Sequence, residues 1–370
     1  MTRSLPGDHA QQRSAQPTAR WVNQLQRTAA NVGLKVTPFL PAGVKRLLAG
    51  GRSVTIDGNT LDSTLQLMLA AQHALGVNGL VVDDDVATSR TRVRETAAAL
   101  GGEIHVGVAD ISLPGPAGDI AARHYRPLGG GAKPLLVYYH GGGHVLADLD
   151  VFDAVCRLTC RDADAAVLSI DYRLAPEHPA PAAVEDAYAA FRWAHAHAAD
   201  LDAIPGRVAV GGDSAGGNLA AVVSVLARDD GGPAPVLQWL ICPVTDMTAQ
   251  TRSRTLFGDG FVLTKHDIDW FTAQYLGGSG VDPTDPRVSP LLTDDLSGLP
   301  PALIATAGFD PLRDEGEQFA AALRAAGNVV DLRTMGSLTH TFINFFRIGG
   351  GCAAATKELI SALRAHLSRS

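Results

Sequence analysis

Five short, predominantly apolar runs, PLLVYY, AAVLSIDY, RVAVGG, PVLQWLIC and PALIATAG, follow one another between positions 134 and 308 of this 370-residue chain. A strand with one face in water alternates apolar with polar residues, whereas a continuous run suits a strand covered on both faces. Helical segments separate most of the runs, notably Ala182–Ala198, Leu219–Ala227 and Glu315–Ala326. Buried strands alternating with helices predict an α/β fold, with a mostly parallel central sheet and flanking helices. Val329–Met335 reads as one strand more.

Upstream, IHVGVADISL and DIAARHYRP flank the turn-prone PGPAG and predict an antiparallel hairpin. Before Glu103 the reading is a polar tail over residues 1–20, then helices at Ala19–Gly33, Leu61–Leu75 and Ala87–Leu100, with no strands. Residues 1–102 are therefore expected to form a tail and a helical cap, and residues 103–370 the main domain. After Cys242, roughly 60 residues, including a helix at Lys265–Leu276, precede the next strand, too many for a plain crossover. Residues 245–285 are read as an insertion joining the N-terminal helices in a lid; a bare surface excursion is the competing reading.

Composition narrows the partners. A net charge of −7 with no cluster of Lys and Arg argues against nucleic acid. No apolar run approaches the roughly 20 residues that cross a bilayer. Cysteines at 156, 160, 242 and 352 are too few for a disulfide framework in so long a chain, and the first twenty residues hold no apolar signal-like stretch, so a cytoplasmic protein with a small-molecule ligand is expected.

The glycine-bounded serine in Gly212-Asp213-Ser214-Ala215-Gly216 satisfies G-x-S-x-G at a strand-to-helix junction, where a sharp turn exposes a hydroxyl. A serine capping the following helix is the structural alternative. A phosphate cradle does not fit, because Ser214 stands where G-x-G-x-x-G needs a glycine. His140-Gly141-Gly142-Gly143 follows the apolar run Leu135–Tyr139; unhindered N–H groups of Gly142 and Gly143, with that of Ala215, could surround an oxyanion. A flexible loop, or a metal pair at His140 and His144, is the alternative, and H-E-x-x-H is absent. A serine nucleophile needs a base and an orienting acid. Asp310 and His340 each follow a predicted strand, in the order Ser, Asp, His. Taken singly, Asp310 before Pro311 could be a helix cap and His340 the start of a helix.

Taken together, YYHGGG, DYRLAPEHPAPA, GDSAGGNLA, DPLRDEG and the closing His340-Thr341-Phe342 resemble, in order, the motifs of the hormone-sensitive-lipase-like family of α/β-hydrolases. The resemblance covers Glu103 to the C-terminus. It implies an α/β-hydrolase fold with a helical cap and a carboxylic ester hydrolase acting on short- to medium-chain esters. It implies Ser214, Asp310 and His340 as the triad and Gly142, Gly143 and Ala215 as the oxyanion hole, with no metal or organic cofactor and a possible homodimer. By the same analogy, His140 and Asp171–His178 hold the loop in shape, and Asp213 belongs to the turn. An amidase or carbamate hydrolase would use the same groups, and a non-catalytic receptor could share the fold. His144 and Thr341 depart from the family's usual residues.

Overall fold

Residues 37–369 are described in the computed structural model; the helix expected at Ala19–Gly33 and the polar tail lie outside them. The strands are β1 (Thr55–Ile56), β2 (Asn59–Thr60), β3 (Gly107–Gly115), β4 (Gly118–Arg126), β5 (Lys133–Tyr139), β6 (Ala166–Ile170), β7 (Ala203–Asp213), β8 (Gln238–Ile241), β9 (Ala302–Phe309) and β10 (Val330–Thr339). Eight of them form one sheet in the order β3-β4-β6-β5-β7-β8-β9-β10. From β6 to β10 every neighbouring pair is parallel, and the predicted hairpin β3–β4 joins antiparallel at the β6 edge.

The continuous apolar runs are explained by cover on both sides. Along β5, Leu135, Val137 and Tyr139 enter the layer that contains the helices Ala182–Ala196, Ala215–Asp229 and Arg313–Ala325. Leu136 and Tyr138, pointing the other way, pack with the helices Asp153–Ala163 and Gly350–Arg369. Burying an aliphatic side chain this fully contributes roughly 1.5–3 kcal/mol, so neither face could be left to water. The last two helices lie outside the segments that the sequence pattern marks as helical. Their apolar residues nevertheless recur at helical spacing, as in Leu359, Leu363 and Leu367.

Connectivity fixes where a site can form. The chain leaves β5 for β6 on one side and then returns to β7 on the other, so the loops after β5 and β7 diverge and open a crevice at the strands' carboxyl ends. Tyr139 pairs with Gly212, which sets the glycine-rich loop after β5 beside the turn after β7.

The N-terminal third departs from the strand-free expectation. Asp57 and Gly58, both at positive φ, turn the two-residue hairpin β1–β2, and an Asp-Gly pair is a strong local signal for that turn. The helices Ser63–Ala74 and Val86–Leu100 start where Asp62 and Asp85 cap them. In the long excursion after β8, the helix Lys265–Leu276 opens with a capping box of Thr264 and Asp267. Asp267 Oδ1 also accepts hydrogen bonds from Leu80 N at 3.0 Å and Val81 N at 2.8 Å, tying the excursion to the N-terminal helices. Among the described residues, no helix is long and apolar enough to cross a membrane.

Candidate active site

Strand β7 ends at Asp213 and a helix begins at Ala215, which leaves Ser214 alone to make the turn, at φ 55° and ψ −119°. Such a conformation is strained for a residue with a Cβ and persists only where its surroundings enforce it. Ser214 N donates to Ile241 O and Ser214 O accepts from Asn218 N, fixing the turn from both sides. Two turns of chain can approach this closely because Gly216 has no side chain: a Cβ there would run into the Tyr139 carbonyl. The capping alternative does not hold, since the Ser214 hydroxyl makes no bond to the helix N-terminus.

That hydroxyl lies instead 2.9 Å from Nε2 of His340, whose Nδ1 lies 2.8 Å from Oδ2 of Asp310. A carboxylate only accepts, so the imidazole carries its proton on Nδ1 and offers Nε2 to the serine. Asp310 follows β9 and His340 follows β10, neighbouring parallel strands, which is why residues thirty apart in sequence meet at one sheet edge. Asp310 also serves the local turn, but the cap assignment needs correction: its Oδ1 accepts from Leu312 N at 2.9 Å, and the helix starts at Arg313 with Leu312 in the cap position. His340 likewise follows a strand and precedes only a short 3₁₀ segment, Phe342–Ile348.

Ser214 is 7% exposed, His340 1% and Asp310 0%, so their hydrogen bonds operate away from bulk water. Burial pushes the His340 pKa down, but the facing Asp310 charge and hydrogen bond outweigh it, and the imidazole is held above its usual value. Asp213 has a different task. Its Oδ1 accepts from Tyr138 Oη at 3.0 Å and from Gly141 N at 3.1 Å, and burial raises its carboxyl to about 6.

Gly142 and Gly143 sit at φ 116° and 62°. A Cβ on Gly142 would meet the Leu146 backbone and one on Gly143 would enter the Phe271 ring, so side chains are excluded on steric and conformational grounds. Among the described residues, the N–H groups of Gly142, Gly143 and Ala215 have no protein acceptor. The loop is braced from behind: Tyr172 Oη donates to His140 O at 2.7 Å, and the His140 ring stacks on Tyr172. His144 stacks on Tyr275 at 3.9 Å between centroids, and burial lowers its pKa to about 3, so it is neutral. The two histidines thus face separate aromatic partners.

Sequence reasoning missed Cys242, whose Sγ lies within 4.8 Å of ligand atoms of Asp310 and His340. Burial and the Asp310 charge keep this thiol protonated, so it can donate toward the carboxylate. Nothing in a lone cysteine ending PVLQWLIC signals that placement. Also missed was Glu315, fully buried, which accepts from Thr245 N at 3.0 Å and pairs with Arg254 at 2.7 Å, anchoring the base of the excursion.

A pocket opens onto Ser214 and His340, lined by Leu69 and Val93 of the N-terminal helices, Ile268 and Phe271 of the excursion, and Phe345. A family model described as an alpha/beta hydrolase fold matches residues 136–344. The chain belongs to the α/β-hydrolases, in their hormone-sensitive-lipase-like family. Among other α/β-hydrolases, it is 67% identical over 375 residues to the carboxylic ester hydrolase LipN of Mycobacterium tuberculosis, covering 100% of both chains. It is 42% identical to the carboxylesterase NlhH of the same species, over 76% of this chain and 88% of that one. The hyperthermophilic esterase of Pyrobaculum calidifontis superposes with a TM-score of 0.73 at 41% identity, over 77% of this chain and 94% of that chain.

Proposed function

We propose that this chain hydrolyses carboxylic esters through an acyl-enzyme formed on Ser214. His340 Nε2 takes the hydroxyl proton as Oγ bonds to the ester carbonyl carbon, and the carbonyl electron pair moves onto oxygen. The N–H groups of Gly142, Gly143 and Ala215 receive that oxyanion, and each such donor is worth about 3–4 kcal/mol of transition-state stabilisation. As the tetrahedral adduct collapses, the imidazolium gives its proton to the departing alkoxide. Water, deprotonated by the same nitrogen, then cleaves the acyl-serine; the acid leaves and the serine regains its proton. Asp310 holds the Nδ1–H tautomer and offsets the imidazolium charge.

The observation that carries this reading is the unbroken relay from Ser214 Oγ through His340 to Asp310, opening into an apolar pocket. Of the tail and helical cap expected over residues 1–102, the described helices, together with residues 245–285, act as the cap over a catalytic domain of residues 103–370, and the apolar side chains they put into the pocket receive the acyl chain. A pocket lined by Leu69, Val93 and Phe271 supports short to medium chains. Cys156, Cys160, Cys242 and Cys352 are all buried free thiols, which supports residence in a reducing compartment, the cytoplasm.

The test is a series of p-nitrophenyl esters from acetate to palmitate with wild type and Ser214→Ala. Activity concentrated on the shorter esters and abolished by the substitution is expected; turnover that survives Ser214→Ala contradicts the assignment.

A further inference from the structure

The helix Val86–Leu100 carries three arginines two residues apart, and they are treated differently. Arg90 donates to Val145 O at 2.8 Å and to both carboxylate oxygens of Glu177. Arg94 pairs with Asp148. Both fasten the helix to the loops below. Arg92, on another face of the helix, lines the pocket together with Val93, Thr96 and Leu100. Among the described residues its guanidinium has neither an ion pair nor a hydrogen bond.

An arginine removed from water ordinarily finds an acceptor, because its charge cannot be shed and its five donors are costly to leave idle. Arg92 is partly buried, and burial acts against its charged form with only partial relief from Asp267. Asp267 has no oxygen to spare, since Oδ1 serves Leu80 and Val81 and Oδ2 serves Thr264 N and Oγ1. The other arginine of the pocket, Arg254, is committed to Glu315 and Asp246 O. One cation of the cavity is thus left facing whatever enters it.

We propose that Arg92 binds an anionic group carried by the substrate away from the scissile bond, so that the enzyme selects esters bearing a carboxylate. This rests on the ester-hydrolase reading above and names the substrate class for the same pocket. The carboxylate could belong to the acid or to the alcohol half of the ester, and a planar guanidinium would hold either in the same two-pronged manner.

The experiment compares two sets of substrates by titrating released acid. In one, monomethyl esters of dicarboxylic acids of increasing length are set against methyl esters of the matching monocarboxylic acids. In the other, butyrates of hydroxy acids are set against butyrates of the matching alkanols. The quantity read is the ratio of kcat/KM, charged over neutral, in wild type, Arg92→Gln and Arg92→Glu. In one of the two sets, at the length that spans the pocket, Arg92→Gln is expected to lower the ratio about tenfold, and Arg92→Glu to lower it further. Added salt should shrink the wild-type ratio. A ratio unchanged by Arg92→Gln in both sets, or a loss that falls equally on charged and neutral esters, overturns the proposal. Hydrolysis of the neutral esters by wild type is read separately, so failure here is distinguishable from failure of the ester-hydrolase reading.

Discussion

The carboxyl edge of the sheet and the roof above it are built on different principles. At the edge, Ser214, Asp310 and His340 are almost wholly buried and hang from the ends of parallel strands, and a strained serine is pinned by backbone hydrogen bonds on both sides. The roof is made of separate helices, partly exposed, and held by a few side chains: Asp267 to Leu80 and Val81, Arg90 to Val145, and Arg94 to Asp148. Geometry that must be kept within fractions of an ångström is thus delegated to the core, and the shape of the cavity to a layer with few anchors. A fold divided in this way can alter what it accepts without disturbing the groups that react.

The comparison breaks first if the edge tolerates chemical change. Asp310→Asn keeps the shape but loses the charge that fixes the imidazole tautomer, and should lower kcat by about ten-thousandfold. The same variant has a pH signature. His340 must be neutral to accept a proton, so kcat/KM of the wild type should fall as pH drops through a value above the ordinary 6.5 of histidine. Because Asp310 is what raises that value, the acid limb of Asp310→Asn should move to lower pH; a limb that stays in place separates the carboxylate from the imidazole.

Gly142→Ala should cost roughly a hundredfold in kcat, since a Cβ meets the Leu146 backbone and displaces the N–H beside it. Steady-state kinetics with KM near the wild-type value would mark the loss as one of transition-state binding.

In the roof the expected effects are smaller and of another kind. Asp267→Ala strips partners from Leu80 N, Val81 N and Thr264 at once and should lower stability by roughly 3 kcal/mol in urea unfolding, with KM for longer esters raised more than kcat is reduced. Arg94→Ala removes a surface pair whose arginine is 56% exposed, and should cost under about 1 kcal/mol. A roof variant that lowers kcat on acetate as severely as Asp310→Asn would erase the distinction between the two regions.

The sequence made the edge far more legible than the roof, for the same physical reason. Doubly covered strands write themselves as runs such as PALIATAG, and a turn with no room for side chains demands glycines at fixed spacing. The alternatives for single residues were settled only by coordinates: Ser214 caps nothing, and Asp310 serves the turn with one oxygen and His340 with the other. Cys242 gave no signal, since a buried thiol beside a carboxylate looks in sequence like any core cysteine. In the N-terminal third, the Asp57–Gly58 hairpin carries a local turn signal, whereas the Asp267 anchor joins residues more than 180 apart and has no local signature.

The most direct test of the account is covalent labelling with a p-nitrophenyl alkylphosphonate followed by peptide mapping. One phosphonyl group on Ser214, and its disappearance in His340→Ala, is the predicted result. Labelling of another residue in place of Ser214, or labelling of Ser214 at an unchanged rate without His340, would contradict it.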